Sequence, residues 1–550
     1  MIAGATIGEA LLAAAGSARG IEAIEHDGCA SRIPYASLLA DALGIAAALR
    51  TRGLATGDRV ALVVPEVGDF VRAFFGIAAA GLLPVPLCPP AHAGDLPTWT
   101  RQSRHVLQAS RASAVIASDG VAALLDVAGL DGRAILPAGT LRTHAPLAAP
   151  VRVDAAAPAL LQFTSGSTAA PKGVVLTHAS LGANIAAIAG PAGIAARADD
   201  IGVSWLPLYH DMGLIGMLLT AVHSRADIVL MSPVLFLKRP TAWLDAISHY
   251  RGTVSFAPNF AYDLCLRRVK PSQIDALDLS SWRVAGCGAE PVRTDTLRAF
   301  ADRFARAGFR ESSVMSSYGL AEHSLAVAFS GGGIREDVVD ADRLVREARA
   351  VPATGASASV VRIAACGAAF PGHDLRIVDD RGQPLPERHV GAIAARGPSV
   401  MQGYFEDPIA TAEALRDGWL YTGDLGYLAD GRLFVCGRTK ELIIRQGRKY
   451  HPPDLEAAIA ELPGLRSSGI LVFGISRLPD DDEVVALVEV RASVPPGQVV
   501  DQVRRRVRET AGLELNRVIV APPGTIPRTT SGKVRRAEAR DRVLAGTLER

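Results

Sequence analysis

The stretch that most constrains this chain runs from Leu160 to Leu176. Leu160 to Phe163 and Val174 to Leu176 are short apolar runs that read as buried strands. Between them lies Thr164-Ser165-Gly166-Ser167-Thr168-Ala169-Ala170-Pro171-Lys172-Gly173. Glycines let backbone N–H groups turn toward an anion, hydroxyls add donors and the lysine adds charge, so the segment suits a polyphosphate. A P-loop would need Gly-Lys-Ser/Thr opening a helix. Here Pro171-Lys172-Gly173 leads into a β-branched run, which predicts a loop between two strands. The plain alternative is an ordinary Ser/Gly-rich hairpin loop.

At 550 residues the chain exceeds one ordinary core, so two or more domains are expected. Hydrophobic residues at 49% and charged residues at 21% are the balance of a soluble globular protein. A net charge of +2 predicts neither nucleic acid nor an acidic partner. The cysteines (Cys29, Cys88, Cys265, Cys287, Cys366 and Cys436) are scattered without a Cys-x-x-Cys pair. Neither zinc nor a disulfide framework is expected, and a reducing, cytoplasmic location fits. Met1 to Gly20 reads as an amphipathic helix, not a signal peptide, because it contains Glu9 and lacks an early basic residue. The most apolar candidate span, Val203 to Leu219, is broken by His210 and Asp211, so no stable membrane insertion is expected.

Before the loop, helical spacing over Tyr35 to Arg50, a strand at Asp58 to Val64, a helix at Glu66 to Ala80 and a strand from Gly81 to Pro86 alternate. Thr100 to Ala109 and Val115 to Ala117 repeat the alternation, which predicts a parallel α/β sheet. Val121 to Pro150 reads as irregular. After the loop comes Trp205-Leu206-Pro207-Leu208-Tyr209-His210-Asp211-Met212-Gly213-Leu214, whose plain reading is a helix start capped by Asp211. Val254 to Phe260 reads as a strand ending at a loop. The small residues of Gly286-Cys287-Gly288-Ala289-Glu290-Pro291 would let a flat base approach the backbone; a strand-to-helix turn is the plain alternative. Ser316-Ser317-Tyr318-Gly319-Leu320-Ala321-Glu322, Gly403-Tyr404-Phe405, Tyr421-Thr422-Gly423-Asp424 and Gly437-Arg438-Thr439-Lys440-Glu441 follow. The pattern from Asp454 onward is a compact α+β unit holding Thr530-Ser531-Gly532-Lys533.

Taken in this order, the motifs closely resemble the adenylate-forming superfamily, and Leu206 to Leu214 is most similar to fatty acyl-AMP ligases. The resemblance covers about Ser31 to Arg536. It implies an α/β enzyme with a large N-terminal domain, residues 1–437, made of parallel α/β sheets plus a small β-rich subdomain. A hinge at 438–441, turning at Lys440, would lead to a smaller mobile α+β domain, 442–550. It further implies that Thr164, Ser165, Gly166, Ser167, Thr168 and Lys172 hold ATP phosphates. Gly288, Ala289, Glu290 and Pro291 would meet adenine, with Tyr318 stacking on it and Gly319, Leu320 and Ala321 beside it. Asp424 and Arg438 would bind ribose. Glu322 would hold Mg²⁺. Trp205, His210, Ala257 and Asn259 would line the carboxylate-substrate pocket, with His210 placing the acyl group. Lys533 would be the mobile catalytic lysine, working with Glu322, Thr164 and His210.

The resemblance also implies that residues 331–365 form an insertion. It would pack on the large domain and hinder the movement needed for thioester formation on CoA; a tolerated surface loop is the plain alternative. The expected reaction joins ATP and a fatty or other carboxylic acid into an acyl-adenylate. Transfer would follow to the phosphopantetheine of an acyl carrier protein acting in trans, which also suits the basic C-terminal stretch better than nucleic acid does. The alternatives are an acyl-CoA ligase, and a non-catalytic acyl- or nucleotide-binding protein that kept the fold.

Overall fold

A computed structural model describes residues 5–90, 96–127, 134–164, 171–354, 359–445, 448–465, 469–478, 481–490, 495–528 and 534–548. The two apolar runs around the phosphate loop are strands Pro158–Phe163 and Gly173–Thr177. They pair antiparallel, with Leu161 opposite Val175 and Phe163 opposite Gly173. The short strand Gly403–Tyr404 pairs with the free edge of Gly173–Thr177.

The predicted strand–helix alternation is a parallel sheet in the order Leu83–Pro86, Arg59–Val63, Ala114–Ala117, Ala134–Pro137. Residues 121–150 are not irregular as expected. They contain the end of helix Asp119–Val127, strand Ala134–Pro137 and the 3-10 turn Ala138–Thr143. That strand is only four residues long and ends on a proline, so its local pattern is weak. Its place at the sheet edge decides its conformation.

A larger mixed sheet carries the rest of the molecule. Its parallel part runs Val314–Gly319, Val284–Cys287, Val254–Ala257, Ile201–Ser204, Asp227–Met231, Gly20–Ile24. It continues without a break through antiparallel strands Ala326–Phe329, Val360–Ala369, Arg432–Arg438, Trp419–Ala429, Gly391–Arg396 and Asp374–Val378. The β-rich subdomain is therefore hydrogen-bonded to the parallel sheet. Trp205, Trp243, Trp282, Tyr262 and Phe300 are fully buried against one face of this sheet and pack ring to ring.

The C-terminal unit is the sheet Ile470–Leu478, Asp481–Glu489, Arg517–Ala521. One face packs on helices Pro452–Ala460 and Pro496–Ala511 through Leu455, Ile459, Val499 and Val503. The other packs on Arg536–Leu544 through Ala539 and Val543. Burial on both faces explains the near-continuous apolar runs of its strands.

The described part of segment 331–365 holds regular structure packed on the large domain, unlike the plain alternative of a surface loop. Strand Glu336–Asp340 pairs antiparallel with Val360–Ala369. Asp340 caps helix Ala341–Glu347 by accepting from the Arg343 N–H at 2.9 Å. Val339 and Leu344 are buried against Tyr427 and Phe434 of the large domain. Val345 packs against the C-terminal core, and the Ser359 hydroxyl donates to the Thr510 carbonyl at 2.5 Å. The segment thus touches both domains. Its last residues, from Val360, belong to a strand inside the large sheet. No helix among the described residues is long and apolar enough to cross a membrane.

The hairpin strand Gly173–Thr177 leads directly into His178, whose Nδ1 accepts from the Ile7 N–H at 3.2 Å and pins helix Ile7–Ala15. Burial pulls the His178 pKa down to about 4. A histidine with a lowered folded pKa stabilises the fold fully above its unfolded value, about 6.5, and loses that contribution as pH falls toward 4. The Ile7 amide is expected to be protected from hydrogen exchange at pH 7.5 and to lose protection near pH 4. In His178→Ala it should be unprotected at both. Identical protection factors in the two proteins would show that another contact pins the helix.

Candidate active site

In an open α/β sheet ligands gather outside the carboxyl ends of the parallel strands. Four strands deliver site residues there. Ile201–Ser204 precedes His210, Val254–Ala257 precedes Asn259, Val284–Cys287 precedes Ala289, and Val314–Gly319 precedes Glu322. The side chains converge on a cavity of ≈ 1200 Å³. That exceeds the ~300–1,000 Å³ usual for one small ligand, so two substrates fit together.

At the phosphate end, the Thr164 N–H donates to the Lys172 carbonyl at 3.0 Å and closes the neck of the loop. Thr164 and Lys172 line the cavity. Ser165, Gly166, Ser167 and Thr168 lie outside the described residues. The Lys172 ammonium sits 4.9 Å from the centre of the Tyr404 ring, a cation–π contact.

Further along the cavity, the Tyr318 hydroxyl donates to Asp424 Oδ2 at 2.7 Å. Arg438 Nε donates to Asp424 Oδ1 at 3.1 Å. Burial raises the Asp424 pKa, and the Arg438 guanidinium opposes the rise. Asp424 and Arg438 face each other across paired strands, so sheet register sets this contact. Gly319, Leu320, Ala321, Ala289, Glu290 and Pro291 line the same end. Ala289 has φ +66, a left-handed conformation costly for a residue with a Cβ and typical of functional loops. Glu290 lies outside helix Thr294–Phe304, so it does not serve that helix's first turn. Its Oε1 accepts instead from the Phe260 N–H at 2.6 Å, tying the Ala289–Pro291 turn to the start of helix Asn259–Arg268.

Glu322 stands between these ends in the turn Ala321–His323. Its Oε1 accepts the Tyr404 hydroxyl at 2.8 Å. Burial pushes its carboxyl above the usual carboxylate range, while the Tyr404 hydrogen bond pulls the other way. Among the described residues no group of three or more His, Cys, Asp or Glu gathers around a common point. A half-buried carboxylate linked through Tyr404 to Lys172 suits Mg²⁺, which prefers one or two carboxylates plus substrate phosphates to an all-protein cage.

The far end is apolar. Met212, Gly216, Met217, Phe256, Leu325 and Phe329 line it, with His210 and Asn259 at the boundary. Met212–Leu219 is a π-helix, a form concentrated at functional sites. Asp211 caps it, accepting from the Met212 N–H at 2.7 Å, as the plain reading of that residue held. Met212 and Gly216, four residues apart, share one face of it.

Three expected site residues do not reach the cavity. Trp205 is buried in the aromatic core, stacked on Phe236 with centroids 3.9 Å apart. Ala257 is fully buried. Gly288 lies close against Ser317, where a Cβ would approach Ser317 Oγ to 2.3 Å. Each sits on the sheet side of its segment, and a local motif does not reveal which side faces the ligand. Lys440 lines the cavity in the turn Thr439–Glu441. Lys533 lies outside the described residues. Arg528 and Val534, which flank that stretch, pair as an isolated bridge. Arg536 joins Glu441 of the hinge turn, at 3.1 Å, to Glu456.

The family model described as AMP-binding enzyme matches residues 13–405. A Caulobacter vibrioides (strain NA1000 / CB15N) protein provisionally named an acyl-CoA synthetase is 41% identical, across 94% of this chain and 91% of that protein. The medium-chain-fatty-acid–[acyl-carrier-protein] ligase JamA of Moorena producens (strain JHB) is 33% identical, across 90% and 86%. A solved structure from work on fatty acyl-adenylate ligases from E. coli and L. pneumophila has a TM-score of 0.93 at 38% identity, covering 98% of both chains.

Because Arg438 counters the burial of Asp424, Arg438→Met should raise the Asp424 pKa further. A protonated Asp424 offers fewer acceptors to a diol. ATP affinity measured by calorimetry should therefore fall about tenfold more between pH 8 and pH 6 in the variant than in the wild type. Superimposable pH profiles would separate Arg438 from the ionisation of Asp424.

Proposed function

The chain belongs to the AMP-binding enzyme family, and on that premise we propose that it is a fatty acyl-AMP ligase. It activates a fatty or related carboxylic acid with ATP and transfers the acyl group to the phosphopantetheine thiol of an acyl carrier protein acting in trans. The observation that carries this reading is the single cavity whose one end is apolar and whose other end holds Lys172, Glu322, Tyr318, Asp424 and Arg438. JamA, named for ligating a medium-chain fatty acid to acyl carrier protein, supports both the acid and the acceptor. The fatty acyl-adenylate ligase structure supports the first half-reaction.

A carboxylate is already a nucleophile, so the chemistry needs no general base. One carboxylate oxygen attacks the α-phosphorus, the bond to the bridging oxygen of the β-phosphate breaks, and pyrophosphate leaves with that electron pair. The difficulty is bringing two anions together in line and stabilising the charge that builds up. His210 and the apolar wall orient the acid. Thr164 to Lys172 hold the leaving phosphates. Tyr318, Asp424 and Arg438 fix the nucleoside. Glu322 would hold Mg²⁺, which when bound neutralises charge on the phosphates. Lys533 would bridge the carboxylate and the α-phosphate, carried there by a domain that turns at 438–441.

The segment 331–365 bears on the acceptor. A domain rotation about Lys440 would have to break the packing of Val345 and the Ser359–Thr510 hydrogen bond. These contacts favour the adenylate-forming arrangement over one that admits CoA. The second reading, an acyl-CoA ligase, is favoured by the name of the Caulobacter vibrioides relative.

Lys533→Ala is expected to lower pyrophosphate release at least a hundredfold while ATP binding survives. Wild-type-like release would remove Lys533 from the mechanism. Hydroxamate trapping of the acyl-adenylate without CoA should succeed with the wild type, and its failure across a panel of fatty acids would leave a non-catalytic binding protein. The double variant Val345→Ala/Ser359→Ala should raise acyl-CoA formation several-fold over a low wild-type rate. Rapid CoA acylation by the wild type, unchanged in the variant, would instead support the acyl-CoA ligase.

A further inference from the structure

Tyr404 stands between the two charged groups that the proposed function places on the ATP phosphates. Its hydroxyl donates to Glu322 Oε1 at 2.8 Å, and its ring face lies 4.9 Å from the Lys172 ammonium. We propose that Tyr404 is a positioning residue that orients the Glu322 carboxylate for Mg²⁺ and holds Lys172 apart from it. This assignment rests on the ligase reading above and deepens it.

The backbone around Tyr404 is built to fix its place. Tyr404 pairs with Val174 and Gly403 with Val175, on the strand that leaves the phosphate loop. The Phe405 N–H donates to Gly173 at 2.7 Å and the Gln402 N–H to Val175 at 3.0 Å. On the other side the Met401 N–H donates to the Glu322 carbonyl at 2.8 Å. The chain from Met401 to Phe405 therefore joins the phosphate-loop strand to the Glu322 turn. The Tyr404 N–H is taken by Thr411 Oγ1 at 2.9 Å. Gly403 has φ +154, and a Cβ there would approach Thr411 Cγ2 to 2.8 Å, so only glycine lets the strand enter this gap unstrained.

The two contacts act differently. The hydroxyl occupies one carboxylate oxygen of Glu322 and leaves Oε2 for a metal, the way an outer-shell hydrogen bond orients a metal ligand. The aromatic face offers Lys172 a weak attraction that a phosphate easily outcompetes. Without the ring, the lysine and the half-buried carboxylate on either side of it would be free to pair, consuming both groups before ATP arrives. Tyr404 thus keeps opposite charges near each other but separately available.

Two variants separate the contacts. Tyr404→Phe keeps the ring and removes the hydroxyl; Tyr404→Leu removes both. ATP binding is measured by calorimetry in Mg²⁺ and in EDTA, alongside the Mg²⁺ dependence of pyrophosphate release. Tyr404→Phe should raise the Mg²⁺ concentration at half-maximal rate about tenfold, with ATP affinity in EDTA unchanged. Tyr404→Leu should also weaken ATP binding in EDTA several-fold. Thermal melting of the unliganded proteins should leave Tyr404→Phe within a few degrees of the wild type. Unchanged Mg²⁺ dependence in Tyr404→Phe would overturn the assignment, as would an equal loss of affinity in Mg²⁺ and EDTA. A wild-type protein that binds no Mg·ATP would instead overturn the ligase reading itself.

Discussion

The site depends on one buried carboxylate. Asp424 is 6% exposed, and burial on that scale favours the neutral acid. The Tyr318 hydroxyl and the Arg438 guanidinium offset that pressure by each donating to one of its oxygens. Tyr318 lies 106 residues before Asp424 in the chain, on a strand of the parallel part of the sheet. Arg438 ends the strand opposite Asp424 and immediately precedes the turn Thr439–Glu441. One carboxylate therefore joins the cavity wall at Tyr318 to the strand end that precedes the turn Thr439–Glu441.

From that point a chain of half-buried ion pairs ties the units together. Glu441, in the turn Thr439–Glu441, reaches Arg536 at the start of the last helix, and Arg536 reaches Glu456 on the first helix of the C-terminal unit. The segment 331–365 adds a second, largely apolar tie through Val345 and Ser359. An apolar contact and a single hydroxyl bond can separate and re-form at modest cost.

What could be read locally was what chemistry demands of neighbouring residues. Thr164, Lys172, Glu322 and Asp424 were legible because hydroxyls, a lysine and carboxylates in Gly-rich turns have few structural uses. The apolar side of the cavity was less so. Trp205 and Ala257 belong to the same runs as residues that do line it, yet both face the core. Alternation along a strand tells which residues share a side, not which side holds the ligand. Tyr404 was visible only as part of a Gly-Tyr pair. Its partners, Glu322 and Lys172, are brought together by a two-residue strand that no periodicity marks. Val360 to Ala364 likewise looks like the tail of a loop until its pairing with Glu336–Asp340 is seen.

The amino-acid sequence by itself determined the α/β class, the hairpin around the phosphate loop, the order of the nucleotide-facing motifs and the separate C-terminal unit. These follow from short-range rules: hydrophobic period, turn residues and the donors an anion requires. Tertiary structure alone decided which faces of those segments form one cavity. It also decided that Tyr318, Asp424 and Arg438 share hydrogen bonds, and that residues 331–365 touch both domains. Such facts rest on strand register and on packing between residues far apart in the chain, and sheet pairing specifies them only after the whole chain has folded.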